Sequence, residues 1–409
     1  MAADYRALGL ARSLGRRGIP VWLLKQGGHL VASVSRYVRR NIPWSMANDF
    51  TLVQRLLSLG AENDLDGWLL FPTDDHSVAL ASRHHELLSR QFTVTVPAWE
   101  RLRFACDKRV LHETAHKLGI HQPWTIWPRT RSDLSALNHP FPVILKPATR
   151  LRVNTLATPK AWYAENRESL LAYFDQASAM VGISNLIVQE VIPGGGETQF
   201  SYAALCKDGH SLASIVARRT RQYPIDFGQF STFVETVDEP QVIGPAERLL
   251  TAMRFTGLVE LEFKRDPRNG AFKLLDVNPR AWGWHTLGAR VGMDFPYLLW
   301  LLLNGEPIPA TRSRSGERWQ LIGGDLIAAI QEIRAGRLSL RDYLHSLRGP
   351  VESALFAWDD PAPGILDLPL YALSTAARFL RPNVANRPLS TSSERKSRED
   401  VSSIKAELG

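Results

Sequence analysis

The sequence predicts an α/β region followed by an α+β region, and three features carry that prediction. Over the first hundred residues, amphipathic helix patterns alternate with short apolar runs of strand length. From about residue 198, strand-like segments follow one another around turn residues with no helix between them. Finally, VELEFKRDPRNGAFKLLDVNPR (259–280) alternates acids with apolar side chains on both sides of a turn.

A chain of 409 residues can bury two or three cores. Its 44% hydrophobic and 22% charged residues are ordinary for a globular protein, and its net charge of +8 permits anionic ligands such as phosphates or carboxylates. The arginines are scattered, with no zinc-finger spacing and no aromatic RNA-binding signature, so nucleic acid is not an expected partner. Cys106 and Cys206 lie far apart without metal-like spacing, which points to a reducing, cytoplasmic setting. The longest apolar run, PYLLWLLL (296–303), falls short of the roughly 20 residues a membrane span needs and reads as a buried helix. The amphipathic segment 368–382 suits packing on the protein better than a membrane surface.

Residues 4–17 read as a helix ended by Gly18 and followed by the strand IPVWLL; the strand that should precede this helix is missing from the pattern. Helix 48–60, strand GWLLFP (67–72), a helix opened by Thr73 or Asp74, and strand FTVTVP (92–97) complete a domain over 1–98. Asp107 caps a helix over 107–120, and FPVILKPA (141–148) is a buried strand ending in Lys-Pro. Helix 165–179, strand LIVQEVI (186–192) and the loop PGGGE follow. Two strands flank a Lys-Asp-Gly turn at 207–209, and helix 244–254 leads into the acidic segment. Residues 306–383 are expected to form a mostly helical extension, and 384–409 a disordered tail.

The turn DPRNG (266–270) folds the acidic segment into a hairpin. That register sets Glu262 opposite Asp276 and Glu260 opposite Asn278, with Val259, Leu261, Phe263, Leu275 and Val277 on the other face. Like charges facing each other on a sheet cost up to about 1 kcal/mol per pair. A hard divalent cation with oxygen ligands relieves that repulsion, and Mg²⁺ shared with substrate phosphates suits the set. The alternative is a solvated hairpin whose acids pair with Lys264, Lys273 or Arg280, and a one-residue bulge would shift the register.

FPVILKPA, then LIVQEVIPGGGE, then GLVELEFKRD…LLDVNPR, in that order, resembles the ATP-grasp superfamily, and within it the carboxylate–amine ligase-like members. The resemblance implies an N-terminal pre-ATP-grasp, Rossmann-like domain (1–98). After it would come an ATP-grasp domain (99–305) with a smaller lobe near 136–192 and a larger one near 193–305, and then the helical extension. It implies phosphate contacts for Lys108 and Lys146, and an adenine-reading hinge at Gln189, Glu190, Val191 and Ile192. Glu197 falls at the ribose-binding position. Glu262, Asp276 and Asn278 match the ligands of Mg²⁺ (or Mn²⁺), with aspartate at 276 where glutamate is usual, and Arg280 matches the arginine that steadies the transferring phosphoryl group. Glu260 would orient its neighbours. The segment after the lysine strand, ATRLRVNTLATPKAW (148–162), lacks the family's flap glycines; Arg150, Arg152 and Lys160 are candidates to supply charge instead.

The implied reaction is ATP-dependent ligation of a carboxylate to an amine or similar nucleophile, both small molecules, through an acyl phosphate. The alternatives are an ATP-grasp carboxylase or phosphotransferase, or a nucleotide-binding protein without catalysis. Arg218, Arg219 and Arg221 lie on one strand, and the parity of 219 and 221 suits an anionic substrate; solvent-facing charge is the rival reading. Trp282 and Trp284 either wall the pocket or pack in the core.

Overall fold

The computed structural model describes residues 4–26, 31–45, 47–149, 161–226, 228, 230–309 and 314–367. Arg150, Arg152, Lys160, the amphipathic segment 368–382 and the tail 384–409 lie outside the described residues. The elements below belong to the unit Met1–Gly364; of the second unit, Ile365–Gly409, only residues 365–367 are described.

The first region contains α1 (Tyr5–Gly15), β1 (Val21–Lys25), β2 (Val38–Pro43), α2 (Asp49–Glu62), β3 (Leu69–Leu70), α3 (Asp75–Arg83), α4 (His85–Leu88) and β4 (Thr93–Val94). Asp4 starts α1 by accepting the Arg6 and Ala7 N–H groups, and Asp74 forms a reciprocal capping box with Ser77 at α3. β1 pairs with β2 and β3 with β4, each in parallel, as two separate two-stranded ladders. The strands expected over 67–72 and 92–97 shrink to two residues each. β2 was not anticipated, because its sequence VRRNIP carries polar side chains on a mostly exposed strand.

The second region runs α5 (Trp99–Cys106), α6 (Lys108–Lys117), β5 (Thr125–Ile126), α7 (Arg131–Ser135), β6 (Val143–Pro147), β7 (Trp162–Ala164), α8 (Arg167–Val181) and β8 (Leu186–Glu190). Its four strands form an antiparallel sheet in the order β5-β8-β6-β7. α7 and α8 pack on that sheet through Leu134, Leu170, Phe174 and Ala177.

The third region holds β9 (Gln199–Lys207), β10 (His210–Tyr223), β11 (Phe230–Thr236), α9 (Ile243–Met253), β12 (Gly257–Arg265), β13 (Phe272–Asn278), α10 (Leu287–Arg290) and α11 (Phe295–Leu303). It ends with β14 (Arg318–Gln320), α12 (Ile322–Arg334), α13 (Leu340–Ser346) and β15 (Glu352–Ser353). Asp208 and Gly209 turn β9 into β10, both with positive φ. The strands make one seven-stranded sheet, β13-β12-β9-β10-β11-β14-β15, so the segment expected to be helical also lengthens the larger sheet by two strands.

Period-two alternation sends this sheet's side chains to two cores. Val259, Leu261, Phe263 and Val277 are buried with Tyr202, Ala204 and Cys206 against α9 and the α5–α6 pair. On the other face Leu258, Ala203, Leu205 and Ile215 are buried with Leu8 of α1 and Leu298 and Leu299 of α11. Each such side chain contributes roughly 1.5–3 kcal/mol by leaving water. α1 comes close enough that a Cβ at Gly9 would lie 2.5 Å from His285 Nε2.

The hairpin register matches expectation at both acid positions: Glu260 lies opposite Asn278, and Glu262 opposite Asp276. The next pair is Phe263 with Leu274, which leaves Leu275 as the extra residue of a bulge. Leu275 therefore does not join the apolar face, and buried Leu274 takes that place.

The hairpin turn is tied to the end of β8 by a charge cluster. Buried Glu190 accepts from Lys273 Nζ at 2.5 Å, Arg268 Nη2 at 2.7 Å and the Trp124 N–H at 2.9 Å. Arg268 and Lys273 also hold Asp266, which is fully buried. Burial pulls the Glu190 carboxyl upward, but the bonds from Lys273, Trp124 and Arg268 bring it net below its ordinary value. The stabilisation from Glu190 is therefore complete above the unfolded value of about 4.3 and is lost as pH falls through the lower folded one. Glu190→Gln leaves Lys273 short of a buried partner and should cost about 3 kcal/mol. Urea unfolding should show that deficit at pH 7 and a smaller one below pH 4; a deficit independent of pH would contradict the assignment.

Candidate active site

The wet face of β12–β13 holds Glu260, Glu262, Asp276 and Asn278, and each is met by a donor from elsewhere in the chain. Asn278 Nδ2 donates to Glu262 Oε1 at 3.0 Å and to Glu260 Oε2 at 3.2 Å. Trp284 Nε1 donates to the second Glu260 oxygen at 3.0 Å. Glu260 is buried; burial, reinforced by the Glu262 charge, raises its pKa, with Arg219 opposing. Arg219 Nη2 reaches Glu262 Oε1 at 3.1 Å, and Lys108 Nζ at the start of α6 reaches Asp276 Oδ2 at 2.7 Å.

This corrects two expectations. The repulsion between facing acids is relieved by cations of the chain itself, one from β10 and one from α6, so a metal is not needed to make the ribbon stable. The cations expected to pair with them are engaged elsewhere: Lys264 donates to the Gly194 carbonyl, Lys273 to Glu190, and Arg280 Nε to Asp75 Oδ1 at 2.7 Å.

Lys146, at the end of β6, donates to Gln189 Oε1 at 2.7 Å, and Gln189 Nε2 donates in turn to Thr125. A cavity of about 120 Å³ brings Lys146 and Thr149 together with Lys108, Cys106, Asp75, Asp276 and Asn278. Four of the residues expected at a nucleotide–metal site thus line one space, drawn from α6, β6 and β13. Arg280 is at its edge: it follows Pro279 and its guanidinium spans Asp75 and Asn278 Oδ1 (3.5 Å). Asp75 is a contact the sequence did not announce, since TDDH was read only as a helix start. The one signal was a second acid beside the capping Asp74; its carboxyl is held below its ordinary range chiefly by Arg280.

Other candidates are placed less centrally. The Glu190 N–H donates to the Trp124 carbonyl at 2.9 Å and the Val191 N–H to Pro142 O at 3.4 Å, and Ile192 is buried. Glu197 is exposed on a short turn and accepts the Gly195 N–H. Arg221 does not share Arg219's surroundings. Two irregularities in the β10–β11 ladder break the alternation, and Arg221 is buried in a two-bond pair with Asp325, between the Phe233 and Tyr343 rings. The expectation that 219 and 221 reach one anion together is therefore wrong. Arg218 pairs with Glu235. Trp282 packs on Phe295, and Trp284 is a core residue that also binds an active-face acid. A larger hollow of about 460 Å³ at Ser211, Ser214, Asp238 and Glu247 contains none of the predicted site residues.

The donor set suits Mg²⁺ in kind, with two carboxylates and an amide oxygen on adjacent strands. Among the described residues, however, no three His, Cys, Asp or Glu side chains already converge as a metal cage. Binding a cation requires Glu262 and Asp276 to exchange their present partners. Trp284→Phe removes one donor from a buried carboxylate and should cost about 1–3 kcal/mol. Chemical denaturation checks this; unchanged stability would mean that the indole bond does not hold Glu260.

Residues 183–320 match a family described as ATP-grasp in the biosynthetic pathway with Ter operon. The D-aspartate ligase of Enterococcus faecium is 22% identical over 295 residues, covering 68% of this chain and 70% of that one. Among solved structures, the biotin carboxylase of Campylobacter jejuni, a complex with β,γ-ATP, superposes with a TM-score of 0.59 at 14% identity, over 77% of this chain and 72% of that one. An L-amino acid ligase from Bacillus licheniformis gives 0.52 at 14% identity, over 74% and 71%. Against Rhizobium etli pyruvate carboxylase the score is 0.57 at 13% identity over 74% of this chain, which spans only 28% of that longer protein. No described helix is long and apolar enough to cross a membrane. With the four-stranded and seven-stranded sheets contributing to one cavity, these matches show that the chain has the ATP-grasp fold.

Proposed function

We propose that this protein is an ATP- and Mg²⁺-dependent ligase that activates a small carboxylate and joins it to an amine or similar nucleophile. The observation that carries the reading is the meeting of Lys108, Lys146, Asp276 and Asn278 in one cavity, with Arg280 at its rim. Two ligases among the similar proteins, one for D-aspartate and one for L-amino acids, support the reaction class.

In this reading Lys108 and Lys146 meet the triphosphate as point charges, Lys108 by giving up Asp276. Glu262, Asp276 and the Asn278 amide oxygen hold Mg²⁺, which when bound neutralises phosphate charge and polarises the γ-phosphoryl group. Gln189 keeps the Lys146 ammonium aimed, and the chain from Gln189 to Ile192, with Glu197, receives the nucleoside. A carboxylate oxygen attacks the γ-phosphorus and ADP departs, leaving an acyl phosphate. The amine nitrogen then attacks the acyl carbon, phosphate leaves, and the nitrogen loses a proton. Arg280 faces the charge that moves between these oxygens, so the protein contributes placement and electrostatics, not a covalent nucleophile.

The test is Mg²⁺-dependent ADP release with paired small carboxylates and amines, including D-aspartate. Turnover that requires both partners supports ligation, whereas turnover with bicarbonate alone supports a carboxylase, and none with any acceptor leaves a nucleotide-binding protein. Asp276→Asn should lower turnover about 10²–10³-fold with an unchanged thermal melt. Full activity in that variant sinks the metal assignment.

A further inference from the structure

One carboxylate on the active face has two claimants. Glu262 is paired with Arg219 at 3.1 Å, and it is also a proposed ligand of the divalent cation. Arg219 is 8% exposed, its Nη1 donates to Gln199 Oε1 at 3.2 Å, and its buried Nε has no acceptor among the described residues. A guanidinium keeps its charge at any working pH. When a dication draws Glu262 away, Arg219 is left as a buried cation beside another cation. Such a group is costly unless a new anion meets it, and Glu260, also near Arg219, is already held by Trp284 and Asn278.

α1 brings a hydroxyl into the neighbourhood of Arg219. Tyr5, in the first turn, lies within electrostatic range of both Arg219 and Arg280, and its ring packs 6.1 Å from Trp319. Its Oη would stand 3.1 Å from a Cβ placed on Gly283, so glycine at 283 lets the hydroxyl lie against the chain that leaves β13. That hydroxyl makes no hydrogen bond within the described residues, and burial keeps it protonated, its pKa pushed up to about 12. A guanidinium fork with a neutral O–H donor in the same neighbourhood suits a planar carboxylate.

We propose that Arg219, with the Tyr5 hydroxyl beside it, binds the carboxylate of the substrate, and that it becomes available only when a divalent cation captures Glu262. The inference rests on the ligase reading and adds an order to it: metal–nucleotide first, carboxylate second. Glu262 is then the switch between an empty site whose charges are paired internally and a loaded site that is one anion short.

Calorimetric titration of the full-length protein tests this without turnover. Mn²⁺ with a non-hydrolysable ATP analogue is titrated first, then D-aspartate, L-aspartate, L-alanine and succinate, into wild type, Arg219→Gln, Arg219→Lys, Tyr5→Phe and Glu262→Gln. Wild type should take up at least one of the four acids only after the metal and analogue are bound. Arg219→Gln should weaken that acid at least tenfold, leave the nucleotide affinity unchanged, and tighten Mn²⁺ several-fold because Glu262 is no longer shared. Arg219→Lys, which keeps the charge and guards against misfolding, should fall between, and Tyr5→Phe should weaken the acid alone. An acid that binds equally well without metal, an Arg219→Gln protein identical to wild type, or no uptake of any of the four acids overturns the inference. Loss of Mn²⁺ in Glu262→Gln together with wild-type behaviour in Arg219→Gln discards this inference and keeps the metal site; unchanged Mn²⁺ affinity in Glu262→Gln discards the metal site itself.

Discussion

Charge balance on the wet side of the β12–β13 ribbon is the constraint from which the rest of the site follows. Three carboxylates sit within two adjacent strands, where sheet geometry forces their carbon frames close together. They are tolerable because Arg219 arrives from β10, Lys108 from α6, and the Asn278 and Trp284 N–H groups from the ribbon and the chain after it. The partners therefore come from elements far apart in sequence, and the ribbon acquires its properties only when those elements dock. The same pairs are positioned to be exchanged, since every proposed ligand of metal or phosphate already holds a partner of opposite charge or a hydrogen-bonding amide.

The N-terminal region is part of this balance and not a separate module leaning on it. Asp75 at the start of α3 fixes Arg280, and the first turn of α1 brings Tyr5 within electrostatic range of Arg219 and Arg280. Close packing makes the second contact possible, because α1 approaches the segment around His285 at a distance that only glycine at position 9 allows. Small residues at 9 and 283 thus permit the close approach of α1 to the chain that follows β13.

The ribbon was legible in the sequence because two independent signals agreed. The turn DPRNG fixed where the chain folds back, and strict alternation fixed which side chains share a face, so the pairing of 260 with 278 and 262 with 276 needed no further information. Leu275 was misplaced because two adjacent leucines give no hint of a bulge. Arg221 was misplaced for the same reason: β10 slips at positions carrying neither glycine nor proline. Lys108 and Lys146 were identifiable as candidates, but their partners were not, since Asp276 and Gln189 reach them through tertiary packing. Asp75 and Tyr5 were hidden by their helices, where a capping region and an amphipathic start account for them fully in sequence terms.

Arg221 offers a last consequence. Its guanidinium is clasped by Asp325 of α12 and bonded to Ser346 at the end of α13, with Tyr343 stacked above it. Gln320 and Thr232 converge on the same aspartate. A single buried cation therefore rivets the C-terminal helices to the large sheet, while its neighbour two residues earlier pairs with Glu262. A fragment cut at residue 305, the expected end of the ATP-grasp domain, would strip β14 and β15 from that sheet and leave this cation without Asp325. The large sheet consequently needs the chain through Ser353 to keep all seven of its strands.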